Sequence, residues 1–163
     1  MQVYGVTGWK NAGKTGLMER LVAEFTSRGL RVSTLKHAHH KVDVDQPGRD
    51  SYRHREAGAH QVLLASENRW ALMTELRGEQ EPSLSDLLAQ LAPVDLVLIE
   101  GYKREPHPKI EAWRSDADNP LIAPDDPTIR AVATDTPLDL DRPQFDLDDT
   151  VAIADFITKE TGL

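Results

Sequence analysis

The sequence predicts an α/β fold built on a mostly parallel sheet. Three observations carry that expectation. Apolar runs of strand length alternate with amphipathic helical stretches, the pattern of βαβ units. The run Val94–Glu100 is almost continuously apolar, as a central strand covered on both faces must be. Gly8-Trp9-Lys10-Asn11-Ala12-Gly13-Lys14-Thr15 fits G-x-x-x-x-G-K-[ST] at every required position, between a strand-like and a helix-like segment. Together they point to a three-layer sandwich of the phosphate-loop NTPase type. Its sheet is mixed but mostly parallel with antiparallel hairpin strands, and residues 1–163 form a single nucleotide-binding domain.

The elements follow in order. Gln2–Thr7 reads as a short buried strand leading into the loop, and Gly16–Phe25 as a helix with Leu17, Leu21 and Phe25 on one face. Gly29 supplies its C-terminal stop, and Arg31–His37 reads as the second strand. Residues 38–50 are polar and contain the turn signal Pro47-Gly48. Asp50 or Ser51 is placed to cap a short helix running to Glu56 and stopped by Gly58. His60–Ser66 and Arg69–Thr74 read as a hairpin turning at Glu67-Asn68, whose strands extend the edge of the sheet. Ser83-Leu84-Ser85-Asp86 has the form of a capping box for a helix to Leu91. Lys109–Arg114 alternates polar and apolar residues, which predicts a strand with one exposed face. Ile129–Thr134 is another strand, set between Asp- and Pro-rich connections over 115–128 and 136–147. Asp148 or Asp149 caps a final helix with Val151, Ala154, Phe156 and Ile157 near one face. The tryptophans, Trp70 and Trp113 among them, read as packing residues.

Composition excludes several classes. With no cysteine there is neither a disulfide framework nor a thiolate site, which suits a reducing cytosol. The first residues already read as strand, so no signal peptide is expected, and no apolar stretch approaches the roughly 20 residues of a membrane span. A cytoplasmic location follows as the expectation. The net charge of −8 argues against non-specific binding to nucleic acid or anionic membrane. The charge is uneven: residues 1–60 carry 10 Lys/Arg against 6 Asp/Glu, and residues 61–163 carry 9 against 21. The second part is either an ordinary solvated acidic surface, or, in the sharper reading, the first part suits a polyanionic ligand and the second a basic protein partner.

The chemistry centres on the loop. Gly8 and Gly13 let the backbone wrap a phosphate, with the N–H groups of Lys10, Asn11, Ala12, Gly13, Lys14, Thr15 and Gly16 available to it. Lys14 adds a positive charge for the β- and γ-phosphates and should face solvent when the site is empty. The Thr15 hydroxyl is a Mg²⁺ ligand. Glu100, at the end of the apolar strand, is the carboxylate expected to hold Mg²⁺ directly or through water, which makes Lys14 and Glu100 the candidate catalytic pair. His37, His39, His40, Asp43 and Asp45 fall within nine residues; they can hold a transition metal, or one Asp, taken as Asp45, can approach Mg²⁺. Asp135, at a strand end, can either accept guanine N1–H and N2–H₂ together, a pair of donors that adenine lacks, or serve as a helix or turn cap.

In these motifs the chain resembles the MobB family, the molybdopterin-guanine dinucleotide biosynthesis adaptor proteins. The loop, Lys36-His37-Ala38-His39-His40, the run Asp43–Tyr52, Arg69–Met73, Glu100-Gly101-Tyr102-Lys103 and Ala133-Thr134-Asp135 carry the resemblance, in order and over nearly the whole chain. Asp-x-Asp-x-Pro-Gly-x-Asp-Ser is the more specific of these motifs. The resemblance implies a GTP-binding homodimer with weak GTPase activity that assists a MobA-like molybdopterin guanylyltransferase, with Mg²⁺ accompanying GTP. One departure stands out: the wider GTPase class carries a signature Lys directly after the first loop Gly, where this chain has Trp9, followed by Lys10. Two other readings use the same residues: a small-molecule kinase, and a metallochaperone GTPase built on His37, His39 and His40.

Overall fold

The computed structural model describes residues 1–38, 43–117 and 119–163. The chain divides into two compact units, one of residues 1–37 and 91–163, the other of residues 38–90. In the first unit, strands β1 (Gln2–Thr7), β2 (Val32–Lys36), β5 (Leu96–Glu100), β6 (Lys109–Trp113), β7 (Ile129–Thr134) and β8 (Gln144–Asp146) form a six-stranded sheet. Their order is β2-β5-β1-β6-β7-β8, and every pairing is parallel. Helices α1 (Lys14–Ser27) and α4 (Thr150–Thr161) cover one face. Tyr4, Leu17, Leu21, Phe25, Leu98 and Ile153 lie in the core beneath them. On the other face Ala123, Ile129 and Val132 pack with Trp113 and Ile122 around a 3₁₀ turn at Ala123–Asp125.

The second unit holds helix α2 (Asp50–Glu56), hairpin strands β3 (Gln61–Ala65) and β4 (Trp70–Thr74), and helix α3 (Leu84–Ala89). The α3 capping box is formed in both directions, Ser83 Oγ accepting from Asp86 N–H and Asp86 accepting from Ser83 N–H. Among the described residues no helix is long and apolar enough to cross a membrane.

Several expectations are corrected. The hairpin pairs as predicted but forms its own two-stranded sheet instead of extending the edge of the large one. Neither Asp50 nor Ser51 caps α2: Arg49 is the capping position, and the Ser51 hydroxyl donates to Asp45 Oδ1 at 3.0 Å. The irregular stretch 136–147 contains β8, three residues whose pairing comes from β7 rather than from any pattern of their own. On α4, Val151 is exposed and Ile153 takes the buried place. Trp70 is exposed, not packed.

The largest correction is β6, which is covered on both faces. Lys109 and Glu111 are fully buried there. Lys109 Nζ donates to the carbonyls of Glu105 and His107 and to Thr128 Oγ1. The Glu111 carboxylate accepts the N–H groups of Ile122 and Ala123. A buried charge is tolerable when its hydrogen bonds are satisfied, and here the partners are the turn just before β6, the Thr128 hydroxyl and the backbone N–H groups of residues 122–123. The alternation that mimics a solvent face is thus absorbed by tertiary contacts.

Candidate functional site

The glycine-rich loop joins β1 to α1 at the carboxyl end of the sheet, where open α/β sheets bind ligands. Its geometry demands its glycines. Gly8 has φ of +137°, and a Cβ there would lie 2.3 Å from the Ala112 carbonyl oxygen. Gly13 has φ of +90° and forms the N-terminal boundary of α1, leaving the first helical N–H groups free for an anion. Asn11 takes the left-handed conformation at φ +67°. Ala12 N–H turns back to the Trp9 carbonyl, and Gly16 sits in the first turn of α1 without a close Cβ contact except Arg20. Trp9, Lys10, Asn11, Asp116, Ala117 and Asn119 line a cavity of about 480 Å³ at the outer side of the loop.

Lys14 does not simply face solvent. It is half-buried, and its Nζ donates to the Trp9 carbonyl oxygen at 2.5 Å, so that the lysine closes over its own loop. Burial lowers its pKa, partly offset by the charge of Glu100. Glu100, at the end of β5, pairs with Lys36 Nζ at 3.2 Å, its side chain 12 % exposed. β5 is hydrogen-bonded to β1 with Val6 opposite Glu100, so the parallel register brings Lys14, Lys36 and Glu100 to the same end of the sheet. Thr15 is exposed on the first turn of α1.

Lys36 and Lys103 belong to this site although no pattern rule singled them out. Lys103 Nζ lies 3.7 Å from the centroid of the Trp9 ring, whose N–H donates to the Pro120 carbonyl. Burial lowers the Lys103 pKa, and the charge of Lys14 lowers it further. In the sequence the two lysines stood out only by their place at strand ends and within motifs that carry the family resemblance.

Asp135 follows β7, two strands from β1, and helps to line a separate cavity of about 270 Å³ with Thr134, Gln144 and Phe145. Its oxygens accept Ser115 N–H at 3.0 Å and Ser115 Oγ–H at 3.3 Å, leaving further lone pairs open.

Asp45 lies in the second unit and is engaged there. Oδ1 accepts from Gln46 N–H and Ser51 Oγ, and Oδ2 pairs with Arg55 Nε at 3.4 Å. Arg55 also binds Asp43 and Glu75, and the Arg55 hydrogen bond holds the Asp43 carboxyl below the usual carboxylate range. The Asp-x-Asp motif therefore folds around an arginine. His39 and His40 lie outside the described residues; His37 stacks on Tyr102 with ring centroids 4.6 Å apart. Among the described residues no group of three or more His, Cys, Asp or Glu side chains is arranged to hold a metal ion.

These features define a parallel α/β protein with a glycine-rich phosphate-loop sequence at the first strand–helix junction. The family model described as "Molybdopterin guanine dinucleotide synthesis protein B", MobB, matches residues 3–135. The chain belongs to this family. It is 46 % identical over 156 residues to the Haemophilus influenzae molybdopterin-guanine dinucleotide biosynthesis adapter protein, covering 94 % of this chain and 85 % of the relative. Identity to the Escherichia coli protein of the same description is 42 % over 154 residues, 93 % of this chain and 88 % of the relative. A crystal structure of a MobB homolog from Bacillus stearothermophilus superposes with a TM-score of 0.74 at 32 % identity, covering 99 % of both chains.

Proposed function

We propose that this protein is a GTP-binding adaptor of molybdopterin-guanine dinucleotide biosynthesis, hydrolysing GTP weakly at most and working with a MobA-like guanylyltransferase. The observation that carries this reading is the loop itself. In a chain of this family, Gly8–Thr15 stands at the β1–α1 junction with glycines at the two positions where backbone sterics demand them. Lys14 and the N–H groups from Lys10 to Gly16 would hold the phosphates. Asp135, exposed beside a cavity at a neighbouring strand end, is suited to the guanine edge.

The residues present fit Mg²⁺, a hard cation that takes oxygen ligands and keeps much of its water. Thr15 Oγ1 offers one oxygen and Glu100 a second, directly or through water. Asp45 belongs to the other unit and is engaged there with Ser51 and Arg55. When bound, Mg²⁺ would neutralise phosphate charge. Lys36 would then exchange Glu100 for the nucleotide, and Lys14 would exchange the Trp9 carbonyl for a phosphate oxygen.

A homodimer is supported by the hairpin. Leu63, Ala65, Trp70 and Leu72 share one of its faces by register, and Leu63, Trp70 and Leu72 are 61 %, 68 % and 44 % exposed. An apolar face of this kind marks a protein contact, and a second copy of the chain would cover it.

Calorimetric titration tests the nucleotide reading. The parent should prefer GTP over ATP, Lys14→Ala should bind neither, and Asp135→Asn should lose roughly ten- to hundredfold of the preference, since hydrogen bonds to a charged group contribute about 1.5–3 kcal/mol. Equal affinity of the parent for both nucleotides refutes the base-reading role. Crosslinking with the purified guanylyltransferase, with GTP at low and high salt, tests the adaptor role; unaided phosphorylation of a metabolite would instead establish a kinase.

A further inference from the structure

Among the described residues, two lysines beside the loop form no ion pair. Lys14 Nζ is bonded to a neutral carbonyl, and Lys103 Nζ rests on the ring of Trp9. The neighbouring carboxylates are engaged elsewhere: Glu100 with Lys36, and Glu111 with the N–H groups of Ile122 and Ala123. Burial disfavours both charges; Lys36 adds repulsion at Lys14 and Lys14 adds it at Lys103, only partly offset by Glu100 and Glu111, so an anionic ligand beside the loop would favour both lysines.

The backbone aims Lys103 at the loop. It follows Glu100-Gly101-Tyr102 at the end of β5, adjacent to the end of β1. Gly101 has φ of +101° and Tyr102 φ of +49°, two consecutive left-handed residues that turn the chain sharply. A non-glycine residue at positive φ is costly and persists where its surroundings hold it. Here the Tyr102 ring stacks on His37, and a Cβ on Gly101 would lie 3.1 Å from His37 Cβ. The turn thus delivers a cation onto the side chain of residue 9, on the Glu100 side of the loop. A cation on an indole face is held less strongly than one bonded to a phosphate oxygen.

We propose that Lys103 is the terminal-phosphate sensor of this site: it rests on Trp9 in the empty protein and transfers to the terminal phosphate of a bound nucleoside triphosphate, so that the site distinguishes tri- from diphosphate. The inference rests on the GTP-binding reading and adds a readout to it. Trp9 loses its stacked cation only when a triphosphate is held.

The test compares a non-hydrolysable GTP analogue with GDP, both with Mg²⁺, by calorimetry and intrinsic fluorescence. Lys103→Met keeps the aliphatic stem on Trp9 and removes the charge. It should weaken the analogue by about ten- to hundredfold and leave GDP within about twofold, as expected for loss of one charge-assisted bond. Lys103→Arg should retain the discrimination. The analogue, but not GDP, should change the fluorescence of the parent, and both Trp9→Phe and Lys103→Met should abolish that change. Equal loss for both nucleotides, no loss for the analogue, or a change that survives Trp9→Phe overturns the sensor. A parent that binds both nucleotides through Lys14 while Lys103→Met is unaffected overturns it alone; a parent that binds neither overturns the GTP reading as well.

Discussion

Residues 96–100 and residues 61–74 are both rich in apolar strand formers, yet they meet opposite fates. Leu96, Val97, Leu98 and Ile99 are fully buried between β2 and β1. Leu63, Leu64, Trp70 and Leu72 stay exposed on a two-stranded hairpin. The difference lies in neighbours, not in composition. A strand inside a six-stranded sheet has both edges paired and both faces covered. A lone hairpin has two free edges, and a pair of strands is marginal by itself in water. The first unit thus carries the glycine-rich loop on a closed core, while in the second α2 packs on the hairpin and Arg55 ties Asp43, Asp45 and Glu75 together, leaving apolar surface exposed.

The contrast breaks most severely at the loop. Gly8→Ala should cost roughly 3–5 kcal/mol, because it adds a forbidden φ to a Cβ clash with a backbone carbonyl that cannot move aside. Chemical denaturation of the variant measures it, and a loss under about 1 kcal/mol would mean the loop relaxes freely.

Next comes a matched pair of truncations. Leu98→Ala should cost about 2–5 kcal/mol, the usual range for a filled core position. Trp70→Ser should leave the unfolding midpoint of the first unit unchanged and instead shift the mass in solution toward monomer. A monomeric parent, or a Trp70→Ser dimer as tight as the parent's, would remove the hairpin from the interface.

Arg55→Ala sharpens the comparison further. It removes the common partner of Asp43, Asp45 and Glu75. Amide exchange should accelerate in residues 43–76 and remain unchanged in β1, β5 and β6. Uniform acceleration would show that the units do not unfold separately.

The smallest effect is a pH dependence. His107 packs against Gly5 with neither ring nitrogen partnered, and burial, with help from the charge of Lys109, pushes its pKa down to about 4. The unfolded chain then binds the proton more readily than the folded one between about pH 6.5 and 4. The stability contributed by neutral His107 is complete above about 6.5 and is lost as the pH falls toward 4. Protection factors of β1 and β6, with the intrinsic pH dependence of exchange divided out, should fall in that window, and His107→Leu should flatten the response. The Asp43–Arg55 pair acts in the same direction but later, since its depressed carboxyl pKa keeps it ionised until the pH falls below the usual carboxylate range.

The sequence alone determined the elements whose signals are local. The loop spacing, an Asp cap at 148 or 149 (the structure uses Asp149), the capping box at Ser83, the two-residue hairpin turn and the apolar run before Glu100 each depend on residues within a few positions of one another, and each formed where periodicity and turn chemistry placed it. The tertiary structure alone decided everything set by distant partners. It buried Lys109 and Glu111 by supplying the Thr128 hydroxyl to the one and the backbone N–H groups of residues 122–123 to the other. It gave β8 its pairing, left Trp70 exposed and stacked Lys103 on the Trp9 ring. The physical reason is common to these cases: a hydrogen bond or a buried face needs a partner, and the sequence near a residue says what partner it needs but not which distant segment will supply it.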